Sequence, residues 1–170
     1  PRIKQKVARI NTQANPARMQ LPYTTAKMPY PQRLLQGHTA HMALKPTIYK
    51  AQIELADSDR NCYESLSLTV AKHPSETLER MMVRLLAYCL NCARGLEFTK
   101  GISTADEPDL WVHSDSGEIE HWIEVGHPEE ARLRKACGRA RQVSVYAFAK
   151  STPTWWKLNH AAISALPHLH

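Results

Sequence analysis

Between residues 109 and 148 the chain changes its hydrophobic period twice, from strand to helix and back, and this ordering restricts the fold more than any other feature. Residues 109–113 and 119–125 read as two strands around Ser114-Asp115-Ser116-Gly117-Glu118, which is turn chemistry. A helix should follow from Pro128, a residue suited to the first helical position. Glu129 and Glu130 stand in its first turn and Arg132, Arg134, Lys135, Arg139 and Arg141 come after, the charge order a helix dipole favours. Leu133, Ala136, Cys137 and Ala140 supply its apolar face, and residues 143–148 read as a further short strand. A strand that returns through a helix pairs in parallel, whereas a hairpin pairs antiparallel, so the sheet is expected to be mixed.

The rest of the chain fits an α/β class. Thr47, Tyr49, Ala51, Ile53 and Leu55 alternate as a half-buried strand requires, and Leu66, Leu68 and Val70 do likewise. Asp57-Ser58-Asp59-Arg60-Asn61 between them predicts a second, N-terminal hairpin. Leu78, Met81, Met82, Leu85, Leu86, Cys89, Leu90 and Ala93 then repeat at helical spacing. Ser75 is the expected N-cap and Arg94-Gly95 the stop. A last helix opens at Trp155-Trp156-Lys157-Leu158 and runs toward Leu166.

Charge divides the chain. Of 170 residues, 22 are Lys or Arg and 16 are Asp or Glu, a formal charge of +6. Residues 1–41 hold seven basic residues and no acid, together with five of the eleven prolines, so the whole excess lies there. Such a stretch buries too little apolar surface to offset its ordering entropy, and it reads as a disordered basic tail. A nucleic-acid arm, a targeting peptide and foreign or upstream sequence compete as explanations, and the last is preferred because Met42-Ala43-Leu44-Lys45 looks like a natural start. No apolar run reaches membrane-spanning length, so a membrane partner is not expected. Cys62, Cys89, Cys92 and Cys137 come without a secretory signal, which points to cytoplasmic thiols. Cys89 and Cys92 have CxxC spacing but fall inside an apolar helix, where core thiols are the expectation. The sequence has no P-loop, GxGxxG, GxSxG or HExxH, and His73 reads as a loop residue.

The 109–125 hairpin carries the candidate chemistry. A two-residue turn at Ser116-Gly117 pairs Asp109 with Glu124, Trp111 with Trp122, His113 with Glu120, Leu110 with Ile123 and Val112 with His121. Two acids directly opposite would have Cβ atoms about 4.5–5.5 Å apart, an arrangement that destabilises a sheet. A bound Mg²⁺ would explain the pair, since it takes one or two carboxylates plus waters and substrate phosphates. The alternative is an exposed strand end where both acids face water, and a four-residue turn would pair Asp109 with Trp122 instead. Arg132, Lys135 and Arg139 form a stripe on the following helix, suited to a phosphodiester or to a solvated face.

Several motifs in order resemble the bacterial YaeQ family: Met42-Ala43-Leu44-Lys45, His73-Pro74-Ser75-Glu76-Thr77, Arg80-Met81-Met82, Glu107-Pro108-Asp109-Leu110-Trp111, Trp122-Ile123-Glu124-Val125-Gly126, Lys135-Ala136-Cys137 and Trp155-Trp156. The resemblance covers about residues 42–160 and implies a restriction-endonuclease-like core of the PD-(D/E)XK nuclease superfamily, a mixed β-sheet flanked by helices. It implies that Asp109 and Glu124 are the paired acids, with an acid from the first helix beside them. Glu79 is preferred to Glu76 because it borders that helix's apolar face. The expected metal set is Asp109, Glu124 and Glu79 with Mg²⁺. The pattern wants a lysine two residues after Glu124, where Gly126 stands, so Lys135 from the neighbouring helix becomes the candidate amine. Family members begin near Met42 and continue past Trp155-Trp156, so residues 42–170 are expected to be a C-terminally incomplete domain. Two functions follow: an Mg²⁺-dependent nuclease or phosphodiesterase, or an inactive nuclease-fold module that binds nucleic acid, through Arg132, Lys135 and Arg139, or a protein.

Overall fold

The long amphipathic repeat forms helix α1 (Leu78–Leu90), which lies between two β-sheets rather than against one. The computed structural model describes residues 6–14, 45–104 and 106–170. Strands β1 (Lys6–Ala14), β2 (Thr47–Asp57) and β3 (Cys62–Lys72) precede α1. After it come β4 (Leu96–Phe98), a 3-10 turn (Gly101–Ser103), β5 (Leu110–His113), β6 (Ile119–Val125), α2 (Glu130–Cys137), β7 (Ala140–Tyr146) and α3 (Thr152–Ile163). The first sheet has the order β1-β2-β3 and is antiparallel throughout. The second has the order β4-β5-β6-β7, antiparallel except for the parallel pair β6–β7, so it is mixed as the crossover required.

Alternation along β2 sends Ala51, Ile53 and Leu55 to one face, where they meet Met81, Leu85 and Cys89 of α1. Ala87, with Val83 and Tyr88 beside it, packs the other side of α1 on Leu110, Ile123 and Val125 of the second sheet. The far face of that sheet presents Trp122 and Val143 to Leu133 and Ala136 of α2 and Ile163 of α3. Period 2 in β6 thus feeds two cores, Trp122 one way and Ile123 the other. A helix covered on both sides no longer obeys a single apolar stripe. Leu78 and Leu86 belong to the repeat yet are exposed, while Arg84 is buried.

Element ends differ from the sequence reading for local reasons. Thr77, not Ser75, caps α1, its Oγ1 accepting from Arg80 N–H at 3.1 Å. Ser75 is occupied by His73, whose Nδ1 lies 2.6 Å from its Oγ, and His73 is the loop residue expected. Helix α2 starts at Glu130, two residues after Pro128, and ends by Gly138, so β7 begins at Ala140. Helix α3 starts three residues before Trp155, with Pro153 in its first turn. At three residues each, β4 and the 3-10 turn are too short to show a period, and the sequence reading missed both.

The basic N-terminal segment also departs from expectation. Residues 6–14 pair with β2 from Lys6 opposite Asp57 to Ala14 opposite Tyr49. Low apolar content argues against a core but not against an edge strand, whose pairing is made by backbone groups. The remainder of the expected tail, with Met42, lies outside the described residues. Among the described residues no helix is long and apolar enough to cross a membrane.

Burial separates two leucines sharply. Leu85→Ala, at a fully buried position, should cost about 2–5 kcal/mol in urea denaturation. Leu158→Ala, at a position 77% exposed, should stay within about 0.5 kcal/mol of the parent.

Candidate functional site

Strand register brings Asp109 and Glu124 together. Leu110 pairs with Ile123, Trp111 with Trp122 and Val112 with His121, all as the two-residue turn requires. Asp109 N–H donates to Ile123 O at 3.0 Å, and Val125 N–H returns to Asp109 Oδ2 at 2.8 Å. The turn itself is longer, closed by Ser114 N–H donating to Glu118 O at 2.9 Å. A bulge between Val112 and His113 absorbs the difference, so His113 faces Ile119 rather than Glu120.

Neither acid faces water: Asp109 is 0% exposed and Glu124 is 4% exposed. Each is held by arginine. Arg80 Nη2 donates to Asp109 Oδ2 at 2.8 Å and to Val125 O at 3.1 Å, while its Nη1 donates to Glu76 Oε1 at 2.9 Å. Arg84, one turn further along α1, donates from Nη1 to Glu76 Oε2 at 3.1 Å, and its guanidinium lies over the Phe98 ring. Arg84 Nε and Asp109 Oδ1 stand 3.5 Å apart, both buried and without a hydrogen-bond partner among the described residues. Glu124 Oε1 accepts from Arg132 Nε at 2.7 Å and from Trp122 Nε1 at 2.8 Å. Burial pushes the Glu124 carboxyl above its ordinary value, and the Trp122 and Arg132 hydrogen bonds oppose that shift.

The two other candidates from the sequence lie elsewhere. Glu79 is exposed on α1, and Glu76 is the acid joined to Asp109 through Arg80 and Arg84. Helical spacing could not place Glu76, because it precedes the Thr77 cap and lies outside the helix. Lys135 pairs at the surface with Asp106, and Arg139 donates to Asp106 O and covers Trp122. The cation beside Glu124 is Arg132, three residues earlier on α2, which also donates to Glu107 O at 2.7 Å. An i, i+3 stripe made both cations candidates, and only packing against the 106–107 loop distinguishes them.

These groups line a cleft of about 290 Å³ that includes Arg80, Gly101, Asp109, Glu124, His127 and Arg132. The sequence reading missed Arg80, Arg84 and His127. Arg80 and Arg84 were legible only as an i, i+4 pair within an apolar helix. His127 Nε2 lies 2.8 Å from Thr152 Oγ1, and its ring stacks on Trp155 with centroids 5.2 Å apart. Gly101 allows the loop to close over the acids: at φ +53, an added Cβ would sit 3.1 Å from Asp109 Oδ1. Gly126, where the superfamily pattern wants lysine, has φ +111, a backbone conformation that strains any L side chain.

A resident Mg²⁺ needs carboxylate lone pairs and little competing positive charge. Here Asp109 Oδ2 and Glu124 Oε1 each already accept two hydrogen bonds, one from a guanidinium. Glu76, Asp109 and Glu124 face Arg80, Arg84 and Arg132, three charges against three. No group of three His, Cys, Asp or Glu side chains able to hold a metal occurs among the described residues. The residues as arranged do not fit the ion.

Comparison with known proteins adds the following. The family model described as YaeQ protein matches residues 42–170. The YaeQ protein of Salmonella typhi is 44% identical over 129 residues, 75% of this chain and 71% of its own length. That of Escherichia coli K12 is 46% identical over 121 residues, 71% of this chain and 67% of its own. The crystal structure of YaeQ from Xanthomonas axonopodis pv. citri superposes with TM-score 0.63 at 47% identity, and that from Pseudomonas syringae with 0.64 at 42%. The chain covers 65% and 63% of those two crystallised chains, and each match takes in 67% of this one.

The arginine pairing has two measurable consequences. Arg84→Met strands two buried carboxylates beside a single guanidinium and should cost about 3–5 kcal/mol by chemical denaturation. Glu124 holds its proton more tightly folded than unfolded, so its contribution to stability falls as pH rises from 4.5 through the raised folded value. Glu124→Gln keeps the Oε1 acceptor and should flatten the pH dependence of Tm in that window.

Proposed function

The chain belongs to the YaeQ family, and on that premise we propose that it is a nuclease-fold module that binds nucleic acid without cutting it. One observation carries the reading: the buried acids that should hold a catalytic metal are instead neutralised, charge for charge, by Arg80, Arg84 and Arg132. The guanidiniums do the electrostatic work of the ion, and fixed cations cannot generate a metal-bound hydroxide. The strained backbone at Gly126 removes the usual seat of the catalytic lysine, and Lys135 lies at the surface beside Asp106, outside the lining of the cleft.

Binding falls to the exposed cations at the C-terminal end of α2 and just beyond it. Lys135 pairs with the Asp106 carboxylate at the surface, and Arg139 donates to the Asp106 carbonyl while lying over the Trp122 ring. Water screens such a pair, so a phosphate can replace Asp106 with little loss. The buried pairs behind them have no comparable exchange and keep the cleft in shape. Four unpaired cysteines suit work in the reducing cytoplasm.

Calorimetric titration of the intact chain with Mg²⁺ and Mn²⁺ should show no binding, and the chain should leave DNA and RNA uncut. Stoichiometric metal binding lost in Asp109→Asn, together with cleavage, would restore the metal-dependent phosphodiesterase with Asp109 and Glu124 as ligands. Fluorescence anisotropy should show that Lys135→Ala with Arg139→Ala weakens nucleic-acid binding uniformly across sequences. Removing two phosphate contacts should also lower the salt slope by about two.

A further inference from the structure

An aromatic series leads out of the cleft. From His127 in its lining, ring centroids step 5.2 Å to Trp155, 6.3 Å to Trp156 and 6.0 Å to His160. Trp155 is half-buried and packs against the core formed by α2, α3 and the second sheet. Trp156 is 47% exposed and His160 is exposed, so the series ends on the outer face of α3. Core packing explains Trp155 but not a second tryptophan held in water beside it. An apolar groove of about 350 Å³ between β7 and α3 runs alongside, lined in part by Val145, Trp155, Trp156 and Leu166.

Charge selects the occupant. Residues 131–170 contain seven Lys or Arg and no Asp or Glu, although residues 42–170 taken whole are nearly neutral. Lys157 adjoins Trp156 on α3, Lys150 precedes that helix, both are exposed, and neither makes an ion pair among the described residues. An exposed ring next to an unpaired cation suits a polyanion that carries flat, unpaired rings of its own. Bases in a duplex are stacked on each other and cannot reach such a surface, whereas those of a single strand can.

We propose that the outer face of α3, at Trp156 and His160 and backed by the stacked pair Trp155–His127, is a base-stacking platform for single-stranded nucleic acid. It rests on the reading of the chain as a nucleic-acid-binding module and gives that module a strand preference. The backbone phosphates would follow Lys150 and Lys157 while a base lies on Trp156. An apolar segment or a second copy of the chain would also cover these rings, but neither calls for Lys157, exposed and without an ion pair among the described residues, next to Trp156.

The test compares fluorescence anisotropy of a labelled 12-nucleotide single strand and its duplex on the intact chain, at low and at physiological salt. The single strand should bind about tenfold tighter than the duplex and quench tryptophan emission. Trp156→Ala should lower single-strand affinity about tenfold and leave duplex affinity unchanged, while Trp156→Phe keeps most of it and serves if the alanine variant fails to fold. Equal binding of both forms, or no effect of either Trp156 variant, overturns the platform and leaves the binding module standing. Absence of binding to either form overturns both. A dimer in sedimentation that Trp156→Ala dissociates assigns the face to a second copy and also overturns the platform.

Discussion

A buried ionic lattice joins the middle of the molecule. Glu76 comes from the segment before α1, Arg80 and Arg84 from its first two turns, Asp109 from the start of β5, and Arg80 also reaches the last carbonyl of β6. Helix α1 is packed on two sides, and Arg84 lies where neither leaves it a route to solvent. Arg84 can be buried there only because two carboxylates meet it. Such a lattice adds little net stability over apolar packing of the same volume, yet it is costly to leave incomplete. It therefore fixes how α1 sits relative to the β5–β6 hairpin, and through that the shape of the cleft.

How far this was legible depends on the scale of the interaction. The strand pair β2–β3, the apolar repeat of α1, the hairpin and the parallel return to β7 follow from period and turn chemistry within a few residues. Asp109 opposite Glu124 follows from register, which is arithmetic on the same hairpin. The partners of those acids do not follow. Glu76 displaces Glu79 because a cap two residues later than expected removes it from the helical wheel. Arg132 displaces Lys135 because the 106–107 loop lies along α2. Both substitutions move the site by three residues, the distance over which helical spacing stops discriminating.

Charge counting shows a related limit. A near-neutral sum over residues 42–170 hides a chain whose acids all precede residue 131. Of the seven basic residues after that point, the fold pairs Arg132, Arg134, Lys135 and Arg141 with acids from earlier in the chain, and Lys150 and Lys157 have no such pair among the described residues. Net charge describes a molecule seen from far away, whereas a bound polymer touches one side. Residues 6–14, which hold two of the seven basic residues of the N-terminal excess, occupy the other sheet as an edge strand beside β2.

The bulge between Val112 and His113 separates two parts of one hairpin. On the turn side of it, the loop closes with its own hydrogen bonds and its own residue count. On the other side, Leu110 to Val112 and His121 to Ile123 keep the alignment that sets Asp109 against Glu124. A length change confined to the tip can be taken up at an irregularity that already breaks the ladder, without turning any side chain of the acid-bearing half to the opposite face. The hairpin is mechanically divided: its tip can vary between relatives while its base holds the acids in register.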